Sequence, residues 1–265
     1  MAHKTLIGGT AYEIKGGRDL IGGTGYAKKS GKALINVTAY GIPFSLFDPV
    51  FSNNGWNEIA LACASHSVPD TWGVGDNKYM DIGGTAYRVD IIGKNHDDYA
   101  DGTGKAPLTF MLHDLYATMF KMNSSKTNKG GWASCAMRMT HLPSIMALMP
   151  QNVRNGIREV RKLTSVGNNS SNITTTADKL FLISEIEATG GSGTYSPSGE
   201  GNQYTYYTTK ENRKKKRQVD KINKIWWLRS PTLETDWRFC SIDTYANTWI
   251  VDADYSYGVC FAFCF

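Results

Sequence analysis

The sequence predicts an α+β domain that ends in a buried strand and is preceded by short β repeats. Three observations carry this expectation. From Val259 to Phe265, bulky Val259, Phe261, Phe263 and Phe265 alternate with small Cys260, Ala262 and Cys264. A strand of that pattern is apolar on both faces, as a central strand is. Trp56-Asn57-Glu58-Ile59-Ala60-Leu61-Ala62-Cys63-Ala64 has the Ala/Leu content and apolar spacing of a helix. Near the N-terminus a Gly-Gly-Thr hexapeptide recurs with a period of fourteen residues. Two domains follow: repeats over residues 1–43 and a main domain over residues 44–265.

At 265 residues, 41% hydrophobic and 12% aromatic, the chain can bury a sizeable core. No apolar run approaches the ~20 residues of a membrane span, so none is expected. Met1-Ala2-His3-Lys4 opens no signal-peptide pattern, which makes the cytoplasm the expected site of synthesis. The five cysteines, Cys63, Cys135, Cys240, Cys260 and Cys264, form no CxxC pair. On one strand face Cys260 and Cys264 would stand roughly 13 Å apart at ~3.3 Å per residue, beyond bridging distance. All five read as reduced core residues. Six cations between Lys210 and Arg217, set against Glu211 alone, account for the whole net charge of +5. A single basic run without interleaved aromatics reads as a solvated loop, and no nucleic-acid partner is expected.

Taken in order, Ile7-Gly8-Gly9-Thr10-Ala11-Tyr12, Ile21-Gly22-Gly23-Thr24-Gly25-Tyr26 and Ile35-Asn36-Val37-Thr38-Ala39-Tyr40 each suit one strand-turn-strand unit. Such units bury little alone and should stack on the main domain, on a partner or on sister copies. After the helix at Trp56, Gly73-Val74-Gly75-Asp76 reads as a turn. A fourth Gly-Gly-Thr, at Gly83-Gly84-Thr85, should make a hairpin of Tyr79–Ile82 with Tyr87–Gly93. Asp97, Asp98 and Asp101 before Gly102 are a candidate calcium site by their hard-oxygen chemistry, although the spacing is not that of an EF-hand and Asp-Gly also makes ordinary turns. Helices are expected over Leu108–Met122, Ser134–Leu148 and Pro150 to about Thr164. In the last, Val153, Ile157, Val160 and Leu163 form the buried face, and Arg154, Arg158, Arg161 and Lys162 the wet one. Met137, Met139, Met146 and Met149 read as core filler. A polar loop over Val166–Thr176 precedes a strand over Asp178–Glu187, whose Glu185 and Glu187 share a face at period two and could pair for acid–base work. Gly190–Lys221 reads as a long insertion loop.

Between two fixed-looking frames, Trp226-Trp227-Leu228-Arg229-Ser230-Pro231 and Gly258 to Phe265, lie residues 232–257, rich in Thr, Asp, Ser, Tyr, Trp and Asn and without lysine. That composition suits a recognition surface, with aromatic contact area and adaptable short polar groups.

Trp227 to Pro231, Phe239-Cys240 and Gly258-Val259 with a terminal aromatic strand resemble the C-terminal end of a domain family common in phages and gut bacteria. Many of its members look like variable proteins of diversity-generating retroelements. Trp72 to Asp76, His96-Asp97-Asp98, Gly130-Gly131-Trp132 with Arg138, and Asp178 to Glu187 fit the same family, so the likeness spans roughly residues 44–265. It implies a C-type-lectin-like fold of the kind shared with formylglycine-generating enzymes. It also implies adenine-directed mutagenesis of codons near the 3′ end of the gene. By position in the motif, the varying, ligand-binding side chains would be Thr232, Glu234, Thr235, Trp237, Arg238, Ser241, Asp243, Tyr245, Asn247, Trp249, Ile250, Asp252, Asp254, Tyr255 and Tyr257. Trp237, Trp249 and Glu234 depart from the usual products of Asn-type template codons.

The function expected on these grounds is non-enzymatic: a phage tail receptor-binding or adhesin module. It would recognise a host surface protein or glycan through residues 232–257, with Trp237, Tyr245, Trp249 and Tyr255 as anchors. Residues 1–43 would attach it to the tail or to sister subunits, a trimer being usual for a tail tip. The virion is the expected location, the bacterial surface the alternative. An enzyme acting through Glu185, Glu187 or Cys264, and a structural virion protein whose tract binds nothing, are the competing readings.

Overall fold

The computed structural model describes residues 46–265 and, before them, the backbone of six short strands. The chain divides into two units, Met1–Pro49 and Val50–Phe265. In the first, β1 (Lys4–Ile7) pairs with β2 (Thr10–Glu13), β3 (Arg18–Ile21) with β4 (Thr24–Ala27), and β5 (Lys32–Ile35) with β6 (Thr38–Gly41). All three pairs are antiparallel, and Ile7 faces Thr10, Ile21 faces Thr24 and Ile35 faces Thr38. Each fourteen-residue period is thus one hairpin.

The second unit opens with α1 (Trp56–Ala64), which turns Trp56, Ile59, Ala62 and Cys63 into the core. Next, β7 (Asn77–Ile82) and β8 (Thr85–Lys94) form the hairpin expected from the fourth Gly-Gly-Thr. Gly83 and Gly84 have φ of 61° and 83°. Two successive positive values give the turn whose twist matches the strands, and glycine adopts them without a Cβ penalty. β9 (Leu108–Leu112) follows, then α2 (Gly131–Ser134), a π-type turn over Met137–His141, α3 (Leu142–Leu148) and α4 (Gln151–Gly156). β10 (Val160–Ser165), β11 (Ile173–Asp178), β12 (Leu180–Phe181) and α5 (Glu185–Thr189) precede the long connection. The chain closes with β13 (Trp226–Pro231), β14 (Arg238–Ile242), β15 (Thr248–Asp252) and β16 (Ala262–Cys264). The strands make a five-stranded sheet in the order β12-β16-β9-β8-β7, a three-stranded sheet β13-β14-β15 and the hairpin β10-β11. All neighbours are antiparallel. The domain is mixed α/β.

The terminal strand lies inside the larger sheet, between β12 and β9. Phe263 stacks on Phe110 at 5.3 Å, and Phe265 meets Phe110 at 5.3 Å and Trp56 at 5.9 Å. The other face of β16 is polar territory rather than apolar. Cys264 Sγ lies 3.4 Å from Thr109 Oγ1 and 3.7 Å from a buried Asp97 oxygen. All five cysteines are free and buried.

Several expected elements differ. Leu108–Met122 is not helical: Leu108–Leu112 is a strand buried at every position, flanked by β8 and β16. A short apolar run has no period to separate helix from doubly covered strand. The helix begun at Pro150 stops at Gly156, and Val160–Ser165 is a strand in which Val160, Lys162 and Thr164 point inward. Period two therefore buries Lys162 and leaves Leu163 41% exposed. The polar loop expected over Val166–Thr176 gives way to β11 from Ile173. Of the strand expected over Asp178–Glu187, Asp178 ends β11 and only Leu180–Phe181 forms a strand of its own. Ser184 caps α5 instead, its Oγ accepting from Glu187 N at 3.0 Å and its N–H donating to Glu187 Oε2 at 3.0 Å. Met137 and Met149 are core, Met146 is half-buried and Met139 is exposed. Lys215, in the basic run, is buried and donates to Leu112 O at 3.0 Å and His113 O at 2.8 Å.

Phe263→Ala should lower unfolding free energy by about 3–5 kcal/mol. Urea denaturation checks this; a loss below about 1 kcal/mol would show that the terminal strand is dispensable.

Candidate functional site

The two frames are clamped to each other. Trp227 N donates to Gly258 O at 3.0 Å and Gly258 N to Ile225 O at 2.9 Å, a short parallel bridge. A Cβ on Gly258 would come within 2.4 Å of Leu115 Cδ1 and 3.0 Å of Ile225 O, so a larger residue would displace the buried Leu115 side chain and crowd the bridge. Residues Trp226 to Ser230 are wholly buried. Trp226 Nε1 donates to Arg213 O at 2.9 Å and Trp227 Nε1 to Phe120 O at 2.8 Å. The tract between the frames is therefore a loop whose two ends are tied in the core. It builds β14, at the centre of the three-stranded sheet, and β15, at its edge.

Along this loop Tyr245, Trp249 and Tyr255 are 74%, 52% and 56% exposed. Glu234 and Asn247 are also exposed; Thr235, Trp237, Arg238, Asp243, Ile250, Asp252, Asp254 and Tyr257 are half-buried. Thr232 and Ser241 do not belong to the surface. Both are buried, Ser241 because it sits within β14 between Trp227 of β13 and Trp249 of β15. Asp243 Oδ1 accepts from Tyr245 N and Asn247 N, each at 2.8 Å, which shapes the β14–β15 turn. Arg238 Nε lies 2.8 Å from Asp252 Oδ1, and Lys126 Nζ lies 2.7 Å from Asp252 Oδ2. Tyr195, Trp249, Tyr255, Tyr257, Glu234, Arg238 and Asp252 line a concavity of about 590 Å³.

Residues outside the tract support it, and nothing in their spacing announces them. Asn128 is buried and its Nδ2 donates to Thr235 O and Arg238 O, each at 2.8 Å. Lys126 Nζ lies 5.6 Å above the Trp237 ring. Tyr195 belongs to the 190–221 connection; its N–H donates to Glu185 Oε2 at 3.0 Å, and its carbonyl accepts from Leu233 N at 2.8 Å.

Beneath the frame lies a chain of buried charges. Lys162 Nζ is 2.6 Å from both Asp97 Oδ1 and Glu187 Oε1. Arg229 grips Glu187 with two nitrogens and donates to the carbonyls of Leu163, Leu182 and Glu200. Asp97 also accepts from Thr109 Oγ1 at 2.5 Å and Tyr204 Oη at 2.9 Å. Burial opposes the charge on Asp97, but Lys162 and its other partners outweigh it and hold the carboxyl at about 2. Burial likewise opposes the charge on Glu187, which Arg229 and Lys162 hold below the ordinary range. Glu200 differs: burial lifts it from 4.5 to about 7, against the pull of Arg229 and of Ser230, Ser165 and Thr164. A Ser-x-x-Glu capping box at Ser184 could have located α5; Lys162 and Glu200 leave no sequence signal.

The calcium candidates do not converge. Asp97 is taken by Lys162, Asp98 pairs with Lys105 at 3.1 Å and Asp101 with Arg158 at 2.7 Å. Among the described residues, the one group of three metal-capable side chains is His96, Asp97 and Glu187, and the Lys162 ammonium stands on two of its three members. The acid–base candidates are equally committed. Glu185 is buried and accepts from the backbone N–H groups of Thr194, Tyr195 and Ser196 at 3.0, 3.0 and 2.8 Å. Burial pushes the Cys264 thiol well above its ordinary range, leaving it protonated.

Residues 108–265 match the model of a family described as Domain of unknown function (DUF6273). The chain belongs to the DUF6273 family. No curated protein and no solved structure matches it. The DUF6273 match takes in Gly130-Gly131-Trp132, Arg138, α5, the Trp227–Pro231 frame and the terminal strand. It begins at β9, after Trp72–Asp76 and His96–Asp98.

The buried charges set two pH windows. A carboxyl lowered in the folded state stabilises above its unfolded pKa, so the contributions of Asp97 and Glu187 are lost as pH falls through the acid range. A carboxyl raised in the folded state acts oppositely: stability declines as pH rises from about 4.5 to about 7 for Glu200. Glu200→Gln should flatten that decline, a difference on the order of 3 kcal/mol between pH 4.5 and 8. Urea midpoints across this range test it; parallel profiles for both proteins would contradict the assignment.

Proposed function

We propose that residues 232–257 form a diversified ligand-binding surface on a non-enzymatic receptor-binding or adhesin protein. It would be a phage tail component made in the host cytoplasm, reading a host surface protein or glycan. The observation that carries this reading is the contrast across the smaller sheet. Trp226 to Ser230 are sealed in the core, whereas Tyr245, Trp249 and Tyr255 stand more than half exposed on the loop tied between the frames. Large aromatic side chains left in water along one loop are characteristic of contact surfaces rather than of folding. The half-buried polar residues around them supply hydrogen bonds that can be rearranged without disturbing the frame.

The resemblance to retroelement variable proteins agrees with this division, since a rewritten surface needs a scaffold whose stability lies elsewhere. The fold reading that goes with it is a C-type-lectin-like domain, and the role for residues 1–43 is attachment to the particle or to sister subunits, as in a trimer.

Sequencing of the gene across one phage or bacterial population tests diversification. Substitutions should fall within codons 232–257, beside a reverse transcriptase and a near-copy template. Codons for the buried Thr232 and Ser241 should stay constant or admit only small residues. A uniform tract without such neighbours would remove the retroelement reading. Trp249→Ala and Tyr255→Ala should each weaken adsorption about tenfold, close to 1.4 kcal/mol, with folding unchanged. Undiminished adsorption by the double variant would favour a structural role.

A further inference from the structure

The concavity beside β15 combines two chemistries in one place. Tyr195, Trp249, Tyr255 and Tyr257 contribute rings, and Arg238, Asp252 and Glu234 contribute polar groups, around about 590 Å³ of space. That volume is within the range of roughly 300–1,000 Å³ typical of small-ligand sites. A folded protein partner would instead need roughly 800 Å² of surface from each side.

Two of the walls, Tyr257 and Tyr195, are fixed independently of any ligand. Tyr257 packs edge-on against buried Trp227 at 5.4 Å, and its backbone pairs both ways with Phe120 at 3.0 and 3.1 Å. Tyr195 is held at its N–H by buried Glu185 and at its carbonyl by Leu233. Pre-set walls reduce the ordering cost of binding.

The polar groups have capacity to spare. Arg238 uses Nε on Asp252, and among the described residues its two terminal nitrogens have no hydrogen-bond partner. The Glu234 carboxylate is exposed and likewise lacks one. A guanidinium fork offers donors only, and a carboxylate acceptors only. A ligand meeting both must itself present donors and acceptors side by side, as neighbouring hydroxyls do. Charge narrows the class further. Arg238 is the one cation among the lining residues and faces the carboxylates of Asp252 and Glu234, so the concavity has no excess of positive charge with which to select an anionic ligand. Aromatic faces bind the C–H faces of pyranose rings, and the rings here flank the hydroxyl-binding groups.

We infer that this concavity is a calcium-independent subsite for a neutral saccharide, with Trp249 and Tyr195 as stacking walls and Arg238 and Glu234 as hydroxyl partners. The inference rests on the ligand-binding reading of residues 232–257 and extends it in two ways. It names the ligand chemistry, and it adds Tyr195, which lies outside the tract, as a binding residue that would persist through diversification.

The test uses the full chain. An array of neutral and acidic oligosaccharides is probed in the presence of a calcium chelator, alongside cell envelopes of a panel of gut bacteria, untreated, periodate-oxidised or protease-digested. Binding to neutral saccharides and to protease-digested envelopes is expected, with loss after periodate cleaves vicinal diols. Trp249→Ala and Tyr195→Ala should each reduce it at least tenfold, while Glu211→Ala, outside the concavity, leaves it unchanged. Matching thermal melts exclude misfolding. Envelope binding that survives periodate but not protease would overturn the saccharide assignment and leave the binding surface standing, with a protein ligand. Preference for acidic saccharides, or dependence on calcium, would also overturn it. Absence of binding to every array and envelope would reject this inference together with the reading it rests on.

Discussion

Alternating buried charges hold the domain together. Asp97 comes from the loop after β8, Lys162 from β10, Glu187 from α5, Arg229 from β13 and Glu200 from the connection after α5. Each reaches its neighbours only when all five segments are in place. Burying such groups costs far more than exposed pairs return, and it is tolerable only when every donor and acceptor is used. Arg229 meets that condition with one carboxylate and three backbone carbonyls. Removing a single member would strand the opposite charge without solvent, so the segments are coupled far more tightly than apolar contact alone would couple them.

This arrangement bears directly on the surface above it. Arg229 and Ser230 belong to the same strand as Trp226 and Trp227, which carry the clamp to Gly258. The tract thus departs from and returns to a part of the core that contains nothing from the tract's own exposed side chains. Changes at Tyr245 or Trp249 alter what meets solvent, whereas changes at Thr232 or Ser241 intrude on packed material. The edge strand β15 is also protected: Lys126, Arg238 and Asp252 place charge along it, which discourages pairing with another chain's strand.

Local patterns made part of this architecture legible. The Ala/Leu spacing of α1, the Gly83-Gly84 turn and the alternation of the terminal residues each depend on neighbours in sequence; α1 and the turn stand where their patterns place them, and the terminal strand is shortened to Ala262–Cys264. Leu108–Leu112 failed because a strand covered on both faces has no polar side to mark its period. The residues from Val160 to Leu163 failed for a subtler reason. Their apolar positions fit a helix, and the correct strand buries a lysine, a choice that makes sense only once Asp97 and Glu187 are known to wait for it.

The sequence by itself determined the repeats, the aromatic and short-polar composition of residues 232–257, the two frames and the exclusion of a Cys260–Cys264 bridge. These follow from residue type and short-range spacing. Tertiary structure alone decided which of the tract's residues reach solvent, that Asp97, Asp98 and Asp101 go to separate cations, that Asn128 holds the tract from within the core, and that Lys126 and Tyr195 flank it. Apart from the short-range Asp98–Lys105 pair, those outcomes depend on contacts between segments dozens of residues apart, where hydrogen bonding and desolvation, rather than local propensity, set the lowest free energy.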